Sequence, residues 1–349
     1  MAGCSAISAA IRRPFMCRFA CISLCLAGKL MRMRAAVIER YGEPPVVRDV
    51  PEPKPDGAGL VEVTAGALNP ADISIASGKF YAGSPPTPYV AGGEGVGRPL
   101  RNGKPGPRAF FRAMMPHGAF AEHAIARDEP VPIPDGVPDG VAAALGTPGF
   151  PAFLGLTKRA QLQRGETVLI LAASGVLGTI AIQVARLLGA GRVIAAARDE
   201  RGLARAKELG ADATVDLKQT EGLTDRIKEA SQGQLHVVID PLWGPPGVAA
   251  MGALSPRGRF VQLGAAAGQE AAVNSGVVRG RYLSILGYSN FLTPWEELAA
   301  AYKQLVNYAA AGQLKVDFEV LPLEAAPEAW KQQAASPHRK LVLSPQARR

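Results

Sequence analysis

The run Ala173-Ser174-Gly175-Val176-Leu177-Gly178 sets two glycines three positions apart, and Arg198 follows further along the chain. Glycine at 175 lets a backbone approach a diphosphate with no Cβ in the way. Glycine at 178 lets a helix pack close to the preceding strand while its free N–H groups point at the anion. The chemistry is that of holding a dinucleotide, with these six residues as the expected diphosphate turn. The first glycine of the usual Gly-x-Gly-x-x-Gly is Ala173, so the pattern carries weight only inside a strand–turn–helix–strand unit. Arg198 then selects the nucleotide. An NAD site normally places Asp or Glu about 20 residues past the glycines to accept from the adenosine ribose hydroxyls. Here Ala196, Ala197 and Arg198 occupy that stretch, so no carboxylate repels a 2′-phosphate and a planar, permanently charged donor fork is offered to it. The expected cofactor is therefore NADP(H). A competing assignment leaves Arg198 solvated at the start of the next helix, with Asp199 or Glu200 reaching the ribose.

The elements that must position these residues are legible around them. Thr167 to Leu171 is a short apolar run of the kind buried in parallel sheets. Ile180, Ala181, Val184, Leu187 and Leu188 recur at helical spacing until Gly189 and Gly191 stop them. Val193 to Ala197 forms the next strand, and α/β alternation continues through strands at Ala213 to Val215, Val237 to Asp240, Arg259 to Leu263 and Leu283 to Gly287. Six strands suffice for two mononucleotide-binding halves in one doubly wound Rossmann sheet, giving an α/β class. Ligands in such sheets sit at the carboxyl ends of the strands, which adds Asp240, Leu263, Gly264 and Ala265, and after the sixth strand Ser289 and Asn290, to the expected cofactor site. Thr293-Pro294-x-Glu296 predicts a capping box opening a helix that runs from Pro294 to about Ala311 and stops at Gly312. Before the nucleotide unit, short strands at Arg34 to Glu39, Val46 to Val50, Leu60 to Ala65 and Phe120 to Ala126, with proline-rich breaks, predict a β-rich domain. Val316 to Pro322 and Lys340 to Leu343 return to strand character and are expected to rejoin it.

The formal charge of +9 is concentrated at the ends. Arg12, Arg13, Arg18, Lys29 and Arg32 precede Met33 without an acid among them, and Arg348 and Arg349 close the chain. The body is close to neutral, with no basic stripe interleaved with aromatics, so a nucleic-acid partner is not expected. Cys4, Cys17, Cys21 and Cys25 all fall in the same leader, which leaves no cysteine for a disulfide framework or a thiolate zinc site after it. The apolar stretch from Phe15 to Ala27 is too short and too broken to span a membrane. Residues 1–32 are expected to lie outside the fold, with translation beginning at Met31 or Met33 and the protein cytoplasmic; a secretory signal or organelle presequence is the alternative.

From Met33 to Pro345 the chain resembles the medium-chain dehydrogenase/reductase superfamily, and within it the zinc-free NADPH:quinone oxidoreductase branch. The residues that carry the resemblance are Met33-Arg-Ala-Ala-Val, Gly66-Ala-Leu-Asn69-Pro70-Ala-Asp72, Pro88-Tyr89-Val-Ala-Gly-Gly-Glu94-Gly-Val-Gly97, Gly118-Ala-Phe-Ala-Glu122, the Ala173 to Gly178 turn with Gln183, Leu209-Gly-Ala-Asp212, Val238-Ile-Asp240-Pro241 and Gly258-Arg-Phe-Val-Gln-Leu-Gly264. The resemblance implies a GroES-like β-rich catalytic domain over residues 33–154, completed by 291–349, and a Rossmann NADP-binding domain over 155–290. It also implies a homodimer in which the last strands of two cofactor domains pair. Zinc-dependent relatives carry cysteine where this chain has Asn69 and histidine where it has Gly93, so no metal ligands are expected. Without a Lewis acid to stabilise an alkoxide, the expected reaction is hydride donation to an already electron-poor small molecule, a quinone or similar conjugated carbonyl. The alternatives are an enoyl or 2-alkenal reductase on the same scaffold, and an NADPH-binding protein without significant turnover.

Three side chains are catalytic candidates under this resemblance. Asn69, placed in the interdomain cleft, is a hydrogen-bonding group for a carbonyl oxygen or the nicotinamide ribose, or else shapes the turn before Pro70. Tyr89 offers a phenol as proton donor or pocket wall, against a packing role before the glycine turn. His117 offers an imidazole on the cleft side, against a solvated loop position. Pro151 stands where many relatives have a threonine facing the nicotinamide, which leaves Thr147 to supply that contact.

Overall fold

The computed structural model describes residues 31–54 and 59–347. The four cysteines, and with them the expectation for the leader up to residue 30, lie outside the described residues; Arg32, expected to precede the fold, instead opens the first strand opposite Pro51. The chain is a mixed α/β protein in which a β-rich part and a parallel doubly wound sheet follow one another.

In the β-rich part, β1 (Arg32–Ile38) and β2 (Val46–Pro51) form an antiparallel hairpin. β3 (Leu60–Leu68) alternates buried and half-buried positions before becoming wholly buried over its last four residues, and it leads through Asn69 into α1 (Pro70–Ala76). β4 (Tyr89–Val90) pairs with β1, and β5 (Glu94–Arg101) pairs with β3. β6 (Lys104–Pro105), β7 (Ala109–Arg112), β8 (His123–Ile125) and β9 (Val131–Pro132) complete the strands before the helices. The strand expected over Phe120 to Ala126 is shorter than that run. The Phe120 ring is fully buried in a slot where a Cβ on Gly66 or Gly92 would lie 2.6 Å from it. Phe120 bonds instead to Ala36 and Ala91, 2.8 and 2.9 Å away, outside the ladder. Two short helices follow, α2 (Asp139–Ala144) and α3 (Gly149–Leu154), the latter running into a π-turn at Gly155–Arg159.

The second part alternates strictly. β10 (Thr167–Leu171), α4 (Val176–Leu187), β11 (Arg192–Ala197), α5 (Glu200–Glu208), β12 (Ala213–Asp216), α6 (Leu223–Ala230), β13 (Leu235–Asp240), α7 (Gly244–Ala253), β14 (Leu254–Gln262), α8 (Ser275–Gly280) and β15 (Ser284–Gly287) build a six-stranded parallel sheet. Its order is β12-β11-β10-β13-β14-β15. The order reverses between β10 and β13, which puts the crevice for a ligand beyond their carboxyl ends. Every residue of β10 is buried, as expected for a central parallel strand covered by helices on both faces. β14 begins earlier than its apolar run, at Leu254, because a register irregularity in β13 lets Leu254 pair with Leu235.

The last segment returns to the first sheet. α9 (Trp295–Ala310) starts after Pro294 as N-cap with no side-chain cap. The expected capping box is therefore absent: the Thr293 hydroxyl donates to Ser289 O at 2.9 Å instead. Gly312, at φ +70°, ends the helix turn as expected. β16 (Phe318–Pro322), α10 (Ala326–Ala334) and β17 (Lys340–Ser344) follow, and β17 pairs antiparallel with β3 with Leu341 opposite Leu68. That register sets Lys340 beside Asn69, 271 positions apart in sequence. Among the described residues no helix is long and apolar enough to cross a membrane.

Candidate active site

The two glycines of the β10–α4 turn do different work. A Cβ on Gly178 would lie 2.5 Å from Ala172 O and 2.6 Å from Ala173 Cα, both backbone, so the helix can approach its strand only without a side chain there. A Cβ on Gly175 would meet nothing closer than Ala172 O at 3.5 Å. Gly175 also has φ −83° and ψ 167°, which any residue adopts. Nothing inside the protein requires glycine at 175, so the space before it is kept for something from outside. Ala173 donates to Ala196 O at 3.0 Å, tying the turn to β11, and Ser174 is buried beneath Gly202. Val176 and Leu177, half-buried, open α4 with its first N–H groups turned to the crevice.

At the end of β11 one of the two acids is accounted for, while Glu200 stays exposed. Asp199 is the N-cap of α5, and its carboxylate accepts from Gly202 N at 2.5 Å. It is spent on the helix terminus, as acids at that position commonly are. Arg198 is exposed and has no hydrogen-bond or ion-pair partner among the described residues; Arg201, also exposed, lies in the first turn of α5.

Across the crevice, Asp240 is fully buried at the end of β13 and accepts from Leu242 N at 2.7 Å and Trp243 N at 3.0 Å. Burial raises its pKa to about 6 in spite of those donors. Its side chain thus shapes the turn, and only backbone remains to face a ligand. Leu263 N donates to Asp240 O at 2.8 Å, and a Cβ on Gly264 would lie 2.9 Å from Pro241 O, so the segment through Ala265 lies flush against that turn.

A polar network joins the two parts of the molecule. Lys340 Nζ donates to Asn69 Oδ1. Asn69 Nδ2 donates to Ala67 O at 3.1 Å and to Glu94 Oε1 at 2.9 Å. Thr147 N donates to both oxygens of Glu94 at 2.9 Å, and Asn290 Nδ2 donates to Thr147 O at 3.0 Å. Asp72 closes the other side, accepting from Asn69 N at 2.8 Å and Gly93 N at 3.0 Å. Asn69, Asp72, Glu94 and Lys340 are each at most 5% exposed. Gly146 is glycine because a Cβ there would press into the Glu94 carboxylate. Burial pushes Asp72 up to about 6, opposed by its two backbone donors, and pulls Lys340 down to about 8, opposed by the charges of Glu94 and Asp72. Both hydrogens of the Asn69 amide are committed inside this network, so its remaining capacity toward a substrate is a lone pair on Oδ1.

Asn69, Thr147 and Asn290 are thus brought together, and Ser289 stands beside them. Asn290 Oδ1 is buried with no partner, an acceptor left open next to the segment expected to face the nicotinamide. Tyr89 packs among Ala36, Ile38, Leu68 and Phe120, its phenol raised by burial and the charge of Asp72. His117 closes a turn through its backbone N to Met114 O at 2.9 Å, and none of its hydrogen bonds reaches the network. Sequence reasoning did not place Asp72, Glu94 and Lys340 in the site. The signal for Lys340 was a cation heading an apolar strand, but its partner lies too far away in sequence to be inferred. Among the described residues no group of three His, Cys, Asp or Glu side chains is disposed to hold a metal. A separate cavity of 590 Å³, lined by Thr224, Pro245, Val248, Met251, Glu270 and Val277 among others, involves none of these residues.

A dinucleotide fits this crevice on three observations of the chain itself: the open cradle before Gly175, the uncommitted Arg198, and the orphaned acceptor on Asn290. Residues 176–307 match the family model described as zinc-binding dehydrogenase. The quinone oxidoreductase of Pongo abelii is 30% identical over 310 residues, covering 85% of this chain and 92% of that protein. A trans-enoyl reductase of Aspergillus terreus is 30% identical over 297 residues, covering 75% of this chain and 80% of that protein. The quinone oxidoreductase of Thermus thermophilus, solved also as its complex with NADPH, superposes with a TM-score of 0.75 at 31% identity, covering 89% of this chain and 100% of that one. With its parallel sheet, its β-rich part and these relatives, the chain belongs to the medium-chain dehydrogenase/reductase superfamily, in the quinone oxidoreductase-like branch.

Proposed function

We propose that this protein is an NADPH-dependent, zinc-independent reductase whose acceptor is a quinone or similar conjugated carbonyl. The observation that carries the cofactor choice is at the end of β11: Asp199, the acid nearest the strand end, caps the next helix while the Arg198 guanidinium stands exposed and uncommitted. When bound, NADPH supplies the hydride. The chain's own residues bind and orient. The turn from Ala173 to Gly178 takes the diphosphate on backbone N–H groups, and Arg198, with Arg201 from the next turn, takes the 2′-phosphate. The backbone of Leu263, Gly264 and Ala265 and the open acceptor of Asn290 hold the nicotinamide end. The Lys340–Asn69–Glu94–Thr147 chain fixes the opposite wall. A quinone or conjugated carbonyl is electron-poor already, so orientation plus a proton from water suffices for its reduction. We also propose a homodimer through β15, the edge strand of the parallel sheet, where Ile285 is exposed and Tyr282, just before the strand, is exposed as well.

Removing the cation tests the cofactor half. Arg198→Ala is expected to weaken NADPH about 10- to 100-fold, the range of a charge-assisted hydrogen-bonding group, with NADH hardly affected. Equal losses for the two nucleotides in fluorescence titrations would refute the role given to Arg198. The acceptor half is tested by following NADPH absorbance at saturation with 1,4-naphthoquinone, a benzoquinone and a linear enone. The quinones are expected to have the higher kcat/KM. The relative named as a trans-enoyl reductase supports the second reading, and an enone turned over faster than either quinone would select it.

A further inference from the structure

Beside the network, the chain displays an aromatic cluster that the cofactor does not need. Phe80 and Tyr81 follow α1; Phe291 and Leu292 follow Asn290. The ring centroids of Phe80 and Phe291 are 5.1 Å apart, edge to face, and those of Tyr81 and Phe291 are 6.2 Å apart at 86°. The two segments come from opposite parts of the molecule and are pinned together by Tyr81 Oη and Ser289 Oγ at 2.8 Å. Tyr81 is 74% exposed, Phe291 45% and Leu292 85%. Apolar rings gathered in water are unfavourable unless something covers them. The segment carrying Phe291 is held in place: Phe291 N donates to Ser289 Oγ at 3.2 Å, Leu292 N to Ser289 O at 3.3 Å, and Thr293 Oγ1 to Ser289 O at 2.9 Å. One residue away, Asn290 is fastened to Thr147.

The occupant follows from that continuity. Whatever rests on Phe291 and Tyr81 lies at the edge of the crevice in which the hydride is delivered. Two ring faces set nearly at right angles accept the face and the edge of a third ring, the arrangement aromatic groups prefer. Resting on the reductase reading above, we infer that Tyr81 and Phe291 form the ring-binding lip of the acceptor site and select planar aromatic acceptors over linear ones. Phe80 backs the lip, and the Tyr81–Ser289 hydrogen bond sets its angle.

The experiment compares wild type with Phe291→Ala and Phe291→Tyr. It reads kcat/KM for 1,4-naphthoquinone and for trans-2-hexenal, the binding of 1,4-naphthoquinone to the NADP⁺-loaded protein by equilibrium dialysis, the NADPH Kd and the oligomeric state. Phe291→Ala is expected to lower the naphthoquinone-to-hexenal ratio of kcat/KM about tenfold, as loss of one aromatic contact implies. It is expected to weaken naphthoquinone binding by the same factor, with the NADPH Kd unmoved, and Phe291→Tyr is expected to restore both. Equal losses for the two acceptors, or unchanged naphthoquinone binding, overturn the lip. A dimer lost in Phe291→Ala with naphthoquinone binding intact also overturns it and assigns the rings to a second copy. If wild type reduces neither acceptor, the dialysis still decides: binding that depends on Phe291 upholds the lip while the reductase reading fails, and binding that does not, or no binding, sinks the lip as well.

Discussion

Gly175→Ala is expected to raise the Kd for NADPH about a hundredfold, a loss of about 2.7 kcal/mol, while the protein melts within about 2 °C of wild type. The asymmetry comes from what a Cβ meets. At 175 the nearest protein atom is Ala172 O at 3.5 Å, an ordinary contact, and the backbone angles suit alanine. The added methyl would therefore project into the space proposed for the diphosphate and press on no protein atom. Gly178→Ala is the contrast: its Cβ would press on the backbone of Ala172 and Ala173 at 2.5 and 2.6 Å. No side chain can swing away there, so that variant should lose stability by about 1–3 kcal/mol along with binding. Calorimetric titration with NADPH beside thermal melts checks both. A Gly175→Ala protein that binds normally would remove the diphosphate from this turn.

Lys340→Met should destabilise the protein by about 3–5 kcal/mol near neutral pH, since it strands buried carboxylates without their cation. For a chain of this size that is a fall in Tm of roughly 10 °C. Asp72 and Glu94 stay in place, held by backbone donors from Asn69, Gly93 and Thr147, but the charge that faced them is gone. The pH dependence has a definite sign. Burial already raises Asp72 to about 6, and the Lys340 charge is one of the influences holding it down; without Lys340 it rises further. A carboxyl with a raised folded-state pKa contributes stability that is present below its unfolded pKa and lost as pH climbs through the folded value. The deficit of Lys340→Met should therefore shrink as pH is lowered from about 8 toward about 5. Adding Glu94→Gln, which neutralises one stranded charge while keeping an acceptor for Thr147 N, should recover about half of it. Denaturant unfolding at several pH values measures this, and a deficit independent of pH would show that Lys340 acts only by filling space.

The two predictions draw on parts of the chain that differ in how openly the sequence displays them. The unit around Gly175 could be read because its information is local: strand, turn, helix and strand lie within Thr167 to Ala197, and periodicity and two glycines suffice to define them. The same holds for the six-strand alternation and for the end of α9 at Gly312. Local signals also misled. Thr293-Pro294-x-Glu296 has the letters of a capping box, but the Thr293 hydroxyl finds Ser289 O first, and the Phe120 run has strand letters while its ring is claimed by the slot at Gly66 and Gly92.

The sequence by itself determined the doubly wound sheet, the tight turn at Gly175 and Gly178 and the positive charge at the end of β11, because each depends on neighbours within a few tens of residues. Only the tertiary structure decided that Asp199 is spent as a helix cap, that Asn69 is committed to Glu94 and Lys340, and that Tyr81 meets Phe291 across the crevice. The physical reason is that a buried polar group must be matched by whichever partner the fold delivers. That partner is fixed by the register of β17 on β3 and by the seating of one part of the molecule on the other, quantities that no local spacing of residues encodes.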